Sequence, residues 1–233
     1  MLAASSLLTA CESTQDKAKK IQAEGAAQLA AAAQPLTIPK QSKAVKVISS
    51  TLLHDQYGDA VVVELRNTSK QAQVNFPILV NVRGANGKTV YENNLAGLEP
   101  NLNHVPLIEP GQTFTWVNDQ LNADTLPKSV KVTVGESTGR APAKLPQIDL
   151  GAAKVENDPS GIVAKGSVTN KSQIDQAGLV VFAVARSGGK VVAAGRAVVK
   201  KLKVGKPFQY QLFFIGDPKG AQLEVTAPPT TLQ

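Results

Sequence analysis

Histidine, cysteine and long apolar runs are all scarce in this chain, and each shortage removes a class of function. Two histidines among 233 residues leave little for a metal centre, which needs several converging His, Cys or carboxylate ligands. His54-Asp55 with Asp59 is the one grouping near that description, and it reads better as a polar hairpin tip. A serine hydrolase needs a serine, a base and an orienting acid. No Gly-x-Ser-x-Gly elbow occurs, and the other histidine, His104, sits in a loop rich in Pro and Asn. Gly188-Gly189-Lys190 is too short for a phosphate loop and suits a hairpin turn. No stretch beyond the N-terminus reaches the ~18 apolar residues of a membrane span. The single cysteine, Cys11, rules out an intrachain disulfide. No catalytic residue, metal ligand or cofactor is therefore expected, and a degenerate hydrolase or metal-binding enzyme is left without a motif.

What the sequence does contain is a core and many turns. Apolar residues make up 42 %, enough for a folded interior, although aromatics stand at only 4 %. Fourteen prolines and eighteen glycines are spread among short Val-rich runs, which favours strands over helices. The net charge of +7 is uneven. Val45 to Val134 holds seven basic and eight acidic residues, whereas Leu150 to Ala227 holds eleven and five.

Cys11 has a specific context. Leu8-Thr9-Ala10-Cys11 places a leucine and two small residues before the thiol, and Glu12-Ser13-Thr14-Gln15-Asp16 after it offers no core in which to bury it. The motif resembles the lipobox of bacterial lipoproteins. The resemblance implies that the thiol carries a diacylglyceryl group, that a signal peptidase cuts before it, and that the protein is lipid-anchored to the cell membrane facing outside the cytoplasm. Residues 1–10 would then be a signal-peptide remnant. They carry no Lys or Arg, and only Leu2 to Leu8 could serve as the apolar region, which suggests a start codon placed too far downstream. Residues 11–44 read as a tether, rich in Ala, Gln, Lys and Glu up to Gln34, helical or plainly disordered, with Pro35 and Pro39 opening an extended spacer.

From Val45 the periodicity is two. Ala60 to Arg66 alternates, with Val61, Val63 and Leu65 inward and Glu64 and Arg66 outward. Asn67-Thr68-Ser69-Lys70 turns the chain, and further strands are expected at Phe76–Arg83, Lys88–Tyr91, Phe114–Trp116 and Val130–Val134. The pattern then repeats. Asn170 answers Asn67, Gly189 answers Gly87, Leu202 to Gly205 answers Ile108 to Gly111, and Phe208 and Tyr210 answer Phe114 and Trp116. The expectation is an all-β chain of two tandem immunoglobulin-like β-sandwich domains: residues 45–135, a linker at 136–148, residues 149–228, and a tail at 229–233. Asn67-Thr68-Ser69 and Asn170-Lys171-Ser172 match the N-glycosylation pattern, but they read as turns in which Asn bonds its own backbone.

Gly166, Val168, Asn170 and Ser172 form a Gly-x-Val-x-Asn-x-Ser run, followed by a valine-rich strand and a Gly-containing hairpin. This resembles the FxLYD family of small immunoglobulin-like domains found in bacterial envelope lipoproteins, with Phe182-Ala183-Val184-Ala185-Arg186 where the name-giving motif would stand. The resemblance implies a fold and an extracytoplasmic setting, and no catalytic residues.

Two features remain as binding candidates. The connection from Asn93 to His104 could offer its amides to a sugar or a peptide backbone, though it also fits an ordinary crossover loop. Lys200, Lys201, Lys203 and Lys206 could meet an anionic surface, or simply be a solvated strand edge. The function expected is that of a non-catalytic binding or structural module of the cell envelope. Its partners would be the membrane through Cys11 and an envelope protein or anionic envelope polymer, not nucleic acid. The alternative is an accessory subunit of a transporter or sensor kinase.

Overall fold

The computed structural model describes residues 34–121, 123 and 125–232. The lipobox residues Leu8, Thr9, Ala10 and Cys11, and the tether as far as residue 33, lie outside the described residues. The chain is all-β. Its first half runs β1 (Val45–Asp55), β2 (Gly58–Asn67), β3 (Gln73–Arg83), β4 (Thr89–Glu92), a 3-10 turn at Pro100–Leu102, β5 (His104–Ile108), β6 (Thr113–Leu121) and β7 (Ser129–Val134). The second half runs β8 (Ile148–Leu150), β9 (Lys154–Asp158), β10 (Gly161–Asn170), β11 (Gln176–Ser187), β12 (Lys190–Leu202), β13 (Pro207–Phe213), β14 (Ile215–Gly216) and β15 (Gln222–Thr226).

Every pairing between these strands is antiparallel, and the sheets pack face to face as in a β-sandwich. In the first half, β1-β2-β6 faces a sheet in which β3 is flanked by β4, β5 and β7. Alternation of side chains sends Val61, Val63, Leu65 and Trp116 from one sheet against Phe76, Ile78, Val80 and Val82 from the other, all fully buried. In the second half, β13-β10 with β8 and β9 faces β14-β12-β11-β15. Ala164, Val168, Tyr210 and Leu212 meet Leu179, Val181, Ala183 and Val199 there.

The two halves repeat at the level of strand register. Asn67 pairs with Val45 as Asn170 pairs with Ile148, and Gly58 pairs with Asp55 as Gly161 pairs with Asp158. Trp116 lies opposite Val63 as Tyr210 lies opposite Gly166. Even an irregularity recurs. Asn75 at φ 44° and Gly178 at φ 60° are both left-handed and both left out of the ladder, 103 positions apart. The main departure is an insertion. The return from Arg83's partner Thr89 to Gln73's partner Ile108 spans nineteen positions, against eleven from Val191 to Leu202. The unbroken β12 of the second half is therefore split into β4 and β5 in the first, with residues 93–103 between them.

The alternation expected for β2 holds for Val61, Val63 and Leu65 inward and for Glu64 and Arg66 outward, but not for the start of the strand. Ala60 and Val62, on the opposite face, are as buried as Val61 and Val63. They pack, with Val117, against Val180, Phe182, Val184, Ala194 and Ile215 of the second half, within one continuous apolar cluster. The molecule is thus a stack of four sheets with three apolar layers, the middle one shared. Phe114 and Phe182 meet edge to face across this boundary at 5.2 Å. The segment after β7, expected as a linker, runs along the first half: Ser137 and Thr138 bond the backbone of Val74 and Asn75. Thr230 and Thr231, in the expected tail, bond the Ala177 backbone in the equivalent way, and their N–H groups also donate to the Gln176 side chain.

Candidate binding surfaces

The polar residues with the greatest chemical potential are mostly spent on the backbone. Asn67 is fully buried; its amide donates to the carbonyls of Gln71 and Ile108, and its Oδ1 accepts from the N–H and hydroxyl of Ser69. Asn170 repeats the set with Ile174, Leu202 and Ser172. A glycan on either nitrogen would have to enter the core, so both N-x-Ser matches are turn staples. Asn93, also fully buried, donates to the carbonyls of Ile78 and Leu102 and accepts from the Val80 N–H at 2.6 Å. It substitutes a side chain for the ladder that β4 abandons there.

The His54, Asp55 and Asp59 grouping is a hairpin tip. His54 and Asp59 are cross-strand partners with Nδ1 and Oδ1 2.8 Å apart. Asp55 Oδ1 accepts from the N–H groups of Tyr57 and Gly58, while its Oδ2 accepts from the Gly216 N–H of the second half at 2.8 Å. Among the described residues no three His, Cys, Asp or Glu side chains form a metal-binding group. Gly188 and Gly189, both left-handed, turn the hairpin between β11 and β12.

Among the described residues two ion pairs cross the boundary between halves. Arg196 on β12, with a side chain only 2 % exposed, donates its Nε to Asp119 Oδ1 at 2.8 Å and its backbone N–H to Asp119 Oδ2 at 3.0 Å. Its Nη1 donates to Asn101 in the inserted segment at 2.6 Å. Arg186 reaches Thr115 from β11 and lies 3.9 Å from Glu64. Neither pair was legible in the sequence, because Arg186 and Arg196 look like ordinary outward charges.

Beside this boundary lies a cleft of about 410 Å³. Pro100, His104 and Pro106 line it from the first half, and Gly178, Val180 and Phe182 from the second. The lining is mostly apolar, with a few amide and hydroxyl groups from Asn75, Asn101 and Thr230. Burial pushes the His104 imidazole below its usual pKa, and its Nδ1 lies 2.7 Å from Asn103 Oδ1. The inserted segment thus contributes to a cavity, through its end and not through the amides of its middle. A larger, open groove of about 630 Å³ runs between Ser42–Ala44, Gln71–Gln73 and Glu136–Pro142. Its counterpart at Lys144–Gln147 and Lys171–Ile174 has about 230 Å³, with Leu232 where the first half has Gly139.

The four lysines surround the β12–β13 turn, all exposed. Lys201 lies 3.3 Å from Asp175, whose carboxyl also accepts the Val204 N–H. That backbone bond, with Lys201 and Lys203 alongside, lowers the Asp175 pKa. Lys200 and Lys206 have no acidic partner among the described residues. No helix among the described residues is long and apolar enough to cross a membrane. No family model and no curated protein matches the chain.

Proposed function

We propose that this protein is a lipid-anchored, extracytoplasmic, non-catalytic module of the bacterial cell envelope that binds another envelope component with its body of immunoglobulin-like sandwiches. One observation carries the non-catalytic part. Asn67, Asn170, Asn93 and Asp55 are spent on backbone groups, as turn staples or, at Asn93, in place of a lost strand pairing, and His54 is taken by Asp59. Anchoring rests on Leu8-Thr9-Ala10-Cys11 followed by a polar stretch. Two acyl chains on Cys11 would hold the protein stably where one would be marginal. The cleft at Pro106 and Phe182 is the surface best suited to a partner, being apolar with a few orienting polar groups.

Two measurements test this reading. With a complete signal sequence supplied, Cys11→Ala should leave the membrane fraction in a carbonate wash, and a variant that stays bound contradicts lipidation. A photo-crosslinking residue at Pro106 should capture one envelope protein in cells, whereas the same residue at Lys165 on the outer sheet should capture none. Equal capture at both positions removes the cleft as the binding surface.

A further inference from the structure

We propose that the β12–β13 turn is a second membrane contact, seated against an anionic bilayer leaflet. The proposal rests on the membrane-anchored reading above, which keeps the body beside such a leaflet. Its first support is a combination of side chains. Lys200, Lys201, Lys203 and Lys206 surround the turn; Val204 within this run is 40 % exposed, and Phe208, two residues after it, is 42 % exposed. Lysines need only water, and a solvated edge explains them; exposed Val and Phe beside them are unfavourable in water and favourable at a bilayer interface. Lys171 adds a further cation on the adjoining β10–β11 turn, which also carries the carboxylate of Asp175, and Asp149 lies opposite Thr169 on the neighbouring strand.

The second support is that the turn's backbone is fixed by hydrogen bonds. Gly205 is left-handed at φ 67°, and its N–H donates to the Asn170 carbonyl at 2.8 Å. The Lys206 N–H donates to the Lys203 carbonyl at 3.1 Å, and the Val204 N–H to Asp175 at 2.9 Å. Little ordering entropy would be lost on contact.

The third support is an internal control. The first half forms the same turn, with Gly111 at φ 71° and the Gln112 N–H on the Glu109 carbonyl. There Pro106, Leu107, Glu109 and Gln112 take the places of the four lysines, and Phe114, in the place of Phe208, is buried against Phe182. The backbone therefore does not require lysines or an exposed Phe. They are features of this one turn.

The test uses the full chain with Cys11→Ser, so that no acyl chain contributes, and co-sedimentation with two kinds of vesicle: phosphatidylcholine alone, and an equal mixture with phosphatidylglycerol. Binding is expected to the mixed vesicles only, and to weaken with salt. Replacing the four lysines by glutamine should cost up to about fivefold in affinity for each, less at Lys201 because of Asp175. Lys203→Glu with Lys206→Gln, the residues of the first half's turn, should lower binding further than the glutamines at those two positions. Val204→Ser with Phe208→Ser should weaken binding roughly tenfold while leaving the salt slope unchanged. Equal binding to neutral vesicles, or no effect of the four glutamines, overturns the proposal. So does full binding by the double-serine variant with equal competition from soluble polyglutamate, which would make the ligand an acidic polymer. Because the assay omits the thiol, failure here leaves lipidation at Cys11 standing, whereas failure of lipidation shows in the Cys11→Ala wash and not in this assay.

Discussion

Val62 and Lys165 occupy the same place in the two halves of the molecule, yet one is buried and the other lies in water. The same holds on the other sheets: Val180, Phe182 and Val184 of β11 are buried on their outer face, while Pro77, Leu79 and Asn81 at the matching positions of β3 are only partly covered. The halves stack through non-equivalent faces, β1-β2-β6 of the first on β11-β12 of the second. Such a head-to-tail contact could in principle be repeated indefinitely, because each half offers both kinds of face. The two free faces are polar instead. One carries Asn81, Glu92, Arg83 and Thr89 bonded to one another, and the other carries Lys165 paired with Glu156 beside Gln209 and Gln211. The difference between the halves is therefore where each has an apolar outer face. Among the described residues, the two outermost faces carry these polar clusters where the stacked faces are apolar.

The sharpest way to break this comparison is to give the buried position the residue of the exposed one. Val62→Lys places an ammonium in the shared apolar layer with no carboxylate prepared for it, and should cost more than about 4 kcal/mol in urea unfolding of the full chain. The reciprocal Lys165→Val loses only a surface ion pair with both partners about half exposed, and should change stability by less than about 1 kcal/mol. Similar effects from the two would mean that the middle layer is not a core.

A smaller effect sharpens the likeness of the halves. Asn67→Ala and Asn170→Ala each strand one buried carbonyl, that of Ile108 or Leu202, and remove the acceptor of one serine, while the carbonyl of Gln71 or Ile174 keeps that serine's hydroxyl, so each should cost about 2–4 kcal/mol. The bonding sets match atom for atom, so the two losses should agree to within about 1 kcal/mol. A clear disagreement in calorimetry would show that the two turns carry different loads despite the same geometry.

These comparisons also show what the sequence could reveal. Most strands of the first half, the paired asparagine turns and the repeat were legible, because alternating valines and N-x-Ser turns are local signals, but β5 was not, its five residues being interrupted by Pro106. β12 was read only at Val191-Val192, since its later half, from Gly195 to Lys201, mixes Gly, Arg and Lys with apolar residues and breaks the period. β8, β9 and β15 have three to five residues each, too few for their alternation to stand out. The shared layer was present as two unbroken apolar runs, Ala60–Val63 and Leu179–Ala185, since a strand buried on both faces loses its alternation. Which runs face each other is a property of the assembled stack, and so the cleft at Pro106 and Phe182 and the Arg196–Asp119 pair could not be read from local pattern. The lysine cluster was legible as charge. Its companions Val204 and Phe208 were not, because the exposure of an apolar residue is decided by what packs over it.

The smallest expected effect concerns the shared left-handed position. Asn75 and Gly178 occupy it at φ 44° and φ 60°, and a Cβ built on Gly178 meets no atom within 4 Å. Any cost of substitution at Gly178 therefore comes from the backbone and not from crowding. Alanine, which visits this region reluctantly, should cost about 1–2 kcal/mol. Asparagine tolerates the left-handed region through local hydrogen bonding, and it also reduces the freedom of the unfolded chain by about as much as it strains the folded one. Gly178→Asn should then leave stability within about 0.5 kcal/mol of the parent. At the matching site, Asn75→Gly gives up that entropy gain and a 3.2 Å exposed bond to Thr138, and relieves a mildly unfavourable φ. It should also come out close to neutral, with Asn75→Ala the costlier change. Denaturant midpoints for the four variants would give the ordering directly. If Gly178→Asn were as costly as Gly178→Ala, the two positions would share an angle and not an energetic role, and the correspondence of the halves would stop at geometry.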